Sequence, residues 1–279
     1  MNGNSLFRAV ALGAGLLWAA APAFGEGGAN TSANAAYVIW PDGVAITDAI
    51  PPSTGISNEG TPQWFRFGSG ATLPELRIHY ATLGTPRRDA AGRIVNAVMV
   101  LHGTGGSGRQ FLQPQFADEL YGPGQPLDSR RYDISLPDGI GHGRSSKPSD
   151  GLRMRFPAYD YSDMVEAHRR MLVEGLGVNR LRLLMGTSMG CMHGFVWAES
   201  HPEFLQAAMP MACLPVEIAG HNRMWRRAAV EGIRQDPAWQ GGNYSTQPMQ
   251  GLRTAISLLH LSGATNIAPG QRIPVALPG

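Results

Sequence analysis

Apolar positions along the chain follow two periods, and the switches between them mark the elements. Ala97-Val98-Met99-Val100-Leu101 is unbroken, the pattern of a strand covered on both faces. Leu76 to Leu83 alternates instead, which predicts a half-buried strand with His79 on its polar side. Further strands are predicted at Tyr132–Leu136, Arg182–Met185 and Phe204–Met211. Between them the spacing lengthens. Met164, Ala167, Met171, Leu172 and Leu176 recur at helical intervals and Gly177 closes the run, so Tyr161–Leu176 reads as a helix. Ser188–Ser200 reads as another. Strands and helices alternating at these lengths imply an α/β fold with a mainly parallel sheet and helices on both faces. That core is predicted to span residues 62–213. Beyond Cys213 the pattern becomes helical, over His221–Gln235 and Gln247–Leu261, and residues 214–262 form a separate helical segment.

The ends change the picture. Arg8 precedes an apolar run, Ala9–Ala21, and Ala23-Phe24-Gly25 supplies small side chains before Glu26. Residues 1–25 are therefore expected to be a cleaved export signal, placing the chain in the periplasm or outside the cell. The run is shorter than the ~20 residues of a bilayer span, so no stable membrane insertion is expected. Residues 26–61, rich in Gly, Ala, Ser, Asn and Pro, read as a loose arm, and 263–279 as an irregular tail. Export into an oxidising compartment leaves Cys191 and Cys213 formally able to pair, but their apolar surroundings favour buried free thiols. A formal charge of +2, with the basic residues scattered, argues against nucleic acid as a partner.

Chemistry concentrates at Gly186-Thr187-Ser188-Met189-Gly190, which follows a strand directly and opens a helix. In that context G-x-S-x-G is a nucleophile elbow: the sharp turn lifts the serine hydroxyl clear of the backbone, and the glycines leave room for it. Ser188 is the expected nucleophile, and its place at a helix N-terminus favours developing negative charge. The Met189 N–H is one expected oxyanion donor. The second is the Thr104 N–H, in the loop His102-Gly103-Thr104-Gly105-Gly106 at the end of the unbroken strand. Gly103-x-Gly105-x-x-Gly108 also fits a dinucleotide fingerprint, but no helix opens promptly after it and no strand-end acid follows at the right distance. No HExxH, clustered Cys/His or EF-hand spacing occurs, so neither metal nor cofactor is expected.

Leu76–Thr85, the His102 loop, Gly141-His142-Gly143-Arg144-Ser145, the Ser188 elbow and His221–Tyr244 together resemble the homoserine O-acetyltransferase-like branch of the α/β-hydrolases. The most specific stretches are Ser188-Met189-Gly190-Cys191-Met192 and Asn222-Arg223-Met224-Trp225-Arg226-Arg227, running on to Tyr244. The resemblance implies an α/β-hydrolase fold in which residues 214–262 begin a helical lid and the C-terminal strands are missing. It also implies that Arg226 faces the substrate, where a guanidinium fork suits a carboxylate. Arg223 and Arg227 beside it leave a solvated lid charge as the alternative.

A serine needs a base, and the base an orienting carboxylate, in the chain order Ser, Asp, His. Downstream of Ser188 only Asp236 followed by His260 satisfies that order, in a stretch that reads as turn and helix. His193 and His201 ride the helix after the elbow and are expected to be structural. His102 and His142 precede Ser188 at the same sheet edge and are the remaining candidates by location. In the family the acid and base follow the lid, which makes truncation the simplest account and inactivity of this chain its consequence. The expected reaction is hydrolysis of a small-molecule ester or amide through an acyl-enzyme. Acyl transfer to an alcohol such as homoserine, or a non-catalytic binding role, are the alternatives.

Overall fold

The computed structural model describes residues 46–49, as backbone, and 65–263. The expected leader, the arm apart from 46–49, and residues 264–279 lie outside the described residues. The strands are β1 (Ile46–Ala49), β2 (Phe65–Arg66), β3 (Thr72–Leu73), β4 (Tyr80–Leu83), β5 (Ala97–Leu101), β6 (Asp133–Pro137), β7 (Leu183–Thr187) and β8 (Ala208–Met211). The helices are α1 (Pro114–Leu120), α2 (Tyr161–Arg170), α3 (Met189–Ser200), α4 (Gly220–Arg234) and α5 (Met249–Gly263). Among the described residues a six-stranded sheet runs β1-β4-β6-β5-β7-β8, and β2 with β3 makes a small hairpin. From β6 to β8 the strands are parallel, while β4 runs antiparallel to both β1 and β6.

The central strand shows why the apolar pattern was readable. All five residues of β5 are buried. Met99 and Leu101 face a layer with Met164 and Val165 from α2, Leu172 just beyond its end, and Trp197 from α3. Val98 and Val100 face the opposite layer, with Phe111, Ala117 and Tyr121 around α1. Burying both sides of a strand is what lets an unbroken apolar run form one. Helix α2 starts on a reciprocal cap: Asp160 accepts from the Ser162 and Asp163 amides, and the Asp163 side chain accepts from the Asp160 amide. It runs on into a π-turn over Met171–Gly175.

Three expectations are corrected. The arm contributes β1, pairing Ile46 with Leu83 and Ala49 with Tyr80. With β1 on one side and β6 on the other, β4 is internal, and the segment is covered on both faces: Leu76 and Ile78 are fully buried, and His79 is 1% exposed. His79 is therefore not on a polar face. The stretch after the Gly-rich loop, where no helix is expected to open promptly, holds α1, which starts at Pro114 with no side-chain cap and buries only Ala117.

The described residues form two compact units, one reaching Glu217 and including Gly241–Asn243, the other made of Ile218–Gln240 and the residues from Tyr244 on. In the second unit α4 and α5 approach closely. A Cβ on Gly251 would stand 2.6 Å from Ile233 Cα. Among the described residues no helix is long and apolar enough to cross a membrane.

Candidate active site

Parallel strands end on the same edge, and β5 is flanked by β6 on one side and β7 on the other, which opens a crevice at that edge. Ser188 stands there, where β7 passes into α3, with φ 53° and ψ −112°. A non-glycine at such angles costs on the order of 1–3 kcal/mol and persists only where its surroundings over-determine it. Here the Ser188 N–H donates to the Met211 carbonyl at 2.9 Å, and the Gly190 N–H to the His102 carbonyl at 3.0 Å. The flanking glycines are steric necessities. A Cβ on Gly186 would lie 2.2 Å from the Gly190 oxygen, and one on Gly190 would lie 2.4 Å from the Leu101 oxygen. Ser188 is partly exposed, and its hydroxyl makes no capping bond to α3.

The loop after β5 meets the elbow. A Cβ on Gly103 would stand 3.3 Å from Ser188 Cβ and 3.9 Å from its Oγ. Thr104 follows directly, and among the described residues neither its N–H nor that of Met189 donates to another backbone group outside a helix or strand. Met189, at the first position of α3, has no intrahelical acceptor for its N–H. These two amides flank the elbow and are the candidates to receive an oxyanion.

Histidines brace this loop. His102 Nδ1–H donates to its neighbour's carbonyl, Gly103 O, at 2.8 Å, and Nε2 accepts the Gly139 N–H at 2.9 Å. That pair of bonds fixes the neutral tautomer, and burial pushes the pKa down to about 4. His142 lies with Nδ1 3.0 Å from the Ile140 oxygen and Nε2 3.0 Å from the Thr104 oxygen. Every nitrogen of these two rings therefore has a backbone partner in the loops, which ties both histidines to loop structure. Behind them His168 and His193 pack between α2 and α3, 2% and 1% exposed. Burial holds His168 down to about 4 and His193 well below its ordinary value. His201 meets Trp197 edge to face at the far end of α3.

Sequence reasoning passed over Asp138, which organises the same edge from the end of β6. Its Oδ2 accepts from His79 Nδ1 and from the Arg144 N–H, and its Oδ1 from the Gly108 N–H, each at 2.8 Å. Burial alone would raise this carboxyl, but the His79 bond and the two amides outweigh it and the pKa is lowered. An acid placed directly after a strand and before Gly139-Ile140-Gly141 was the available signal.

The cysteines are also corrected. Cys191 and Cys213 are joined in a disulfide, their Cα atoms 6.0 Å apart. The elbow lies beside the end of β8, as the Ser188–Met211 bond shows, and that proximity brings the first turn of α3 to Cys213. In the second unit Asp236 spends both oxygens on backbone, Oδ1 on the Ala238 N–H and Oδ2 on the Gly251 N–H, each at 2.9 Å. It caps the start of α5, a structural use of the carboxylate. Arg226 lies on α4, where its Nε donates to Asn222 Oδ1 at 2.6 Å and its guanidinium stacks 4.8 Å from the Trp225 ring centre.

Residues 96–268 match the family model described as the alpha/beta hydrolase fold. A homoserine O-acetyltransferase of Moorella thermoacetica is 38% identical over 69% of this chain and 54% of its own length. The chain thus spans about half the length of that relative. Among solved structures, an acetylester hydrolase from Corynebacterium glutamicum superposes with TM-score 0.66 at 23% identity, covering 79% of this chain and 60% of that one. The acetyl esterase MekB superposes with TM-score 0.65 at 25% identity, covering 80% and 60%. A serine on a strand–turn–helix elbow at the crevice of this sheet, and a family model matching more than half of the residues, make the chain a member of the α/β-hydrolase fold family.

Proposed function

We propose that the chain is the nucleophile-bearing part of an exported serine hydrolase that cleaves small acyl esters. The observation that carries this reading is the strained, partly exposed Ser188, with Gly103 so near that a Cβ there would stand 3.3 Å from Ser188 Cβ. In the proposed reaction Ser188 Oγ attacks the ester carbonyl carbon and its proton passes to a base. The Met189 and Thr104 amides hold the resulting oxyanion. Collapse breaks the bond to the alkoxy group, which leaves as the alcohol once protonated, and water releases the acid from the acyl-enzyme. The core histidines do not supply the base, so it and its carboxylate come from outside the core unit. Arg226 is the proposed contact for a carboxylate on the substrate, since its terminal guanidinium nitrogens are not the ones bound to Asn222.

Acyl transfer is the second reading, favoured by the resemblance to homoserine O-acetyltransferases. The disulfide supports hydrolysis, because stable disulfides belong to oxidising compartments and acyl-CoA donors to the cytoplasm. A fluorophosphonate probe should label the chain at Ser188 and fail on Ser188→Ala. A chain that stays unlabelled in the presence of added imidazole, an external base, would leave only a binding role. Acetate release from small acetyl esters, without O-acetyl product from acetyl-CoA and homoserine, separates hydrolysis from transfer.

A further inference from the structure

Two non-glycine residues at positive φ stand at the ends of neighbouring strands: Ser188 after β7, at 53°, and Ala212 after β8, at 58°. One hydrogen bond and one covalent bond enclose them. The Ser188 N–H donates to the carbonyl of Met211, the residue before Ala212. Cys191, in the first turn of α3, is bonded to Cys213, the residue after Ala212. Non-covalent packing holds this corner weakly. β8 is the last strand of the sheet among the described residues, its first three residues are exposed, and beyond Cys213 Leu214 and Val216 are 68% and 61% exposed. Cys191, by contrast, is 1% exposed and fixed in the core.

We propose that the Cys191–Cys213 disulfide is a positioning device for the nucleophile elbow. By fastening the end of β8 to the first turn of α3, it keeps the Met211 carbonyl on the Ser188 amide and Ser188 at its strained angle. Its catalytic consequence rests on the reading of Ser188 as nucleophile; its geometric consequence does not. The bond forms by thiol–disulfide exchange. A partner disulfide takes two electrons and two protons from the cysteine thiols and leaves as a dithiol, and a dithiol reductant runs the step in reverse.

The test compares the full chain oxidised, reduced with a dithiol while folded, and re-oxidised. The Cys191→Ala/Cys213→Ala variant, with and without the dithiol, controls for direct effects of the reductant. Fluorophosphonate labelling and amide exchange are read on each. Misplacing a reacting group by ~1 Å costs up to about a hundredfold in rate, so reduction should slow labelling by about tenfold or more. Exchange at the Ser188 amide should quicken by a similar factor while the β5 amides stay protected, and re-oxidation should restore both. Unchanged labelling and unchanged Ser188 exchange on reduction would overturn the proposal. So would equal loss of protection in β5, which would make the disulfide a general staple. Imidazole is present in every labelling arm; if even then the oxidised chain takes no probe, the nucleophile reading fails, and the Ser188 and β5 exchange rates alone decide the positioning role.

Discussion

Acidification from pH 7 to pH 5 should weaken this fold by about 3–4 kcal/mol, through buried histidines and not carboxylates. His102 and His168 are each held at about 4 against an ordinary 6.5, burial being the leading cause for both. A histidine with a depressed folded pKa contributes its stability above the unfolded pKa, and loses it as pH falls toward the folded one. At pH 5 the unfolded chain has both rings protonated and the folded chain has neither, a cost of about 2 kcal/mol per ring by linkage. His193, also lowered by burial, adds to this. The aspartates whose pKa is lowered, Asp138 among them, lose stability only further down the scale. Urea unfolding at pH 7, 6 and 5 reads the difference as a falling midpoint at constant slope. His168 sharpens the test. Both its ring nitrogens are buried without a hydrogen-bond partner, the Asp138 carbonyl lying near the ring but outside bonding geometry. His168→Leu should therefore change stability by less than about 1 kcal/mol at pH 7 and raise it by about 2 kcal/mol at pH 5. A parent chain whose stability shifts by under about 1 kcal/mol between pH 7 and 5 would refute the reasoning.

Other substitutions probe the remaining parts. Gly190→Ala drives a Cβ to 2.4 Å from the Leu101 carbonyl oxygen, and should cost about 3 kcal/mol or more. Gly105→Ala meets nothing within 4 Å and should stay within about 0.5 kcal/mol, both read by urea unfolding at pH 7. Asp138→Ala strands the fully buried His79 ring and two amides, so a loss of roughly 3–5 kcal/mol is expected in urea unfolding. Imidazole should accelerate fluorophosphonate labelling of the chain in proportion to its free-base form, since the core supplies no base of its own; labelling already fast and indifferent to imidazole would show that a base is present.

Much of the fold was legible because burial repeats along the strands. β5, buried on both faces, wrote itself as an unbroken apolar run, and the strand–turn–helix context around Ser188 fixed the elbow's position through its glycines. The misses share a cause: each depended on which element lies beside which. His79 alternates as if facing water, yet its ring is buried against Asp138 at the end of β6, the strand beside β4. Asp138 was passed over because two of its three partners, His79 and Gly108, lie 59 and 30 positions away. The disulfide joins residues 22 positions apart, and nothing in either cysteine's own surroundings announces that the end of β8 passes beside the elbow.

The most direct measurement is a crystal structure of the chain phosphonylated by the probe. Phosphorus should be bonded to Ser188 Oγ, with its phosphoryl oxygen about 2.7–3.1 Å from both the Met189 and Thr104 nitrogens. An adduct on another residue, or a phosphoryl oxygen turned to solvent away from those two amides, would contradict the account.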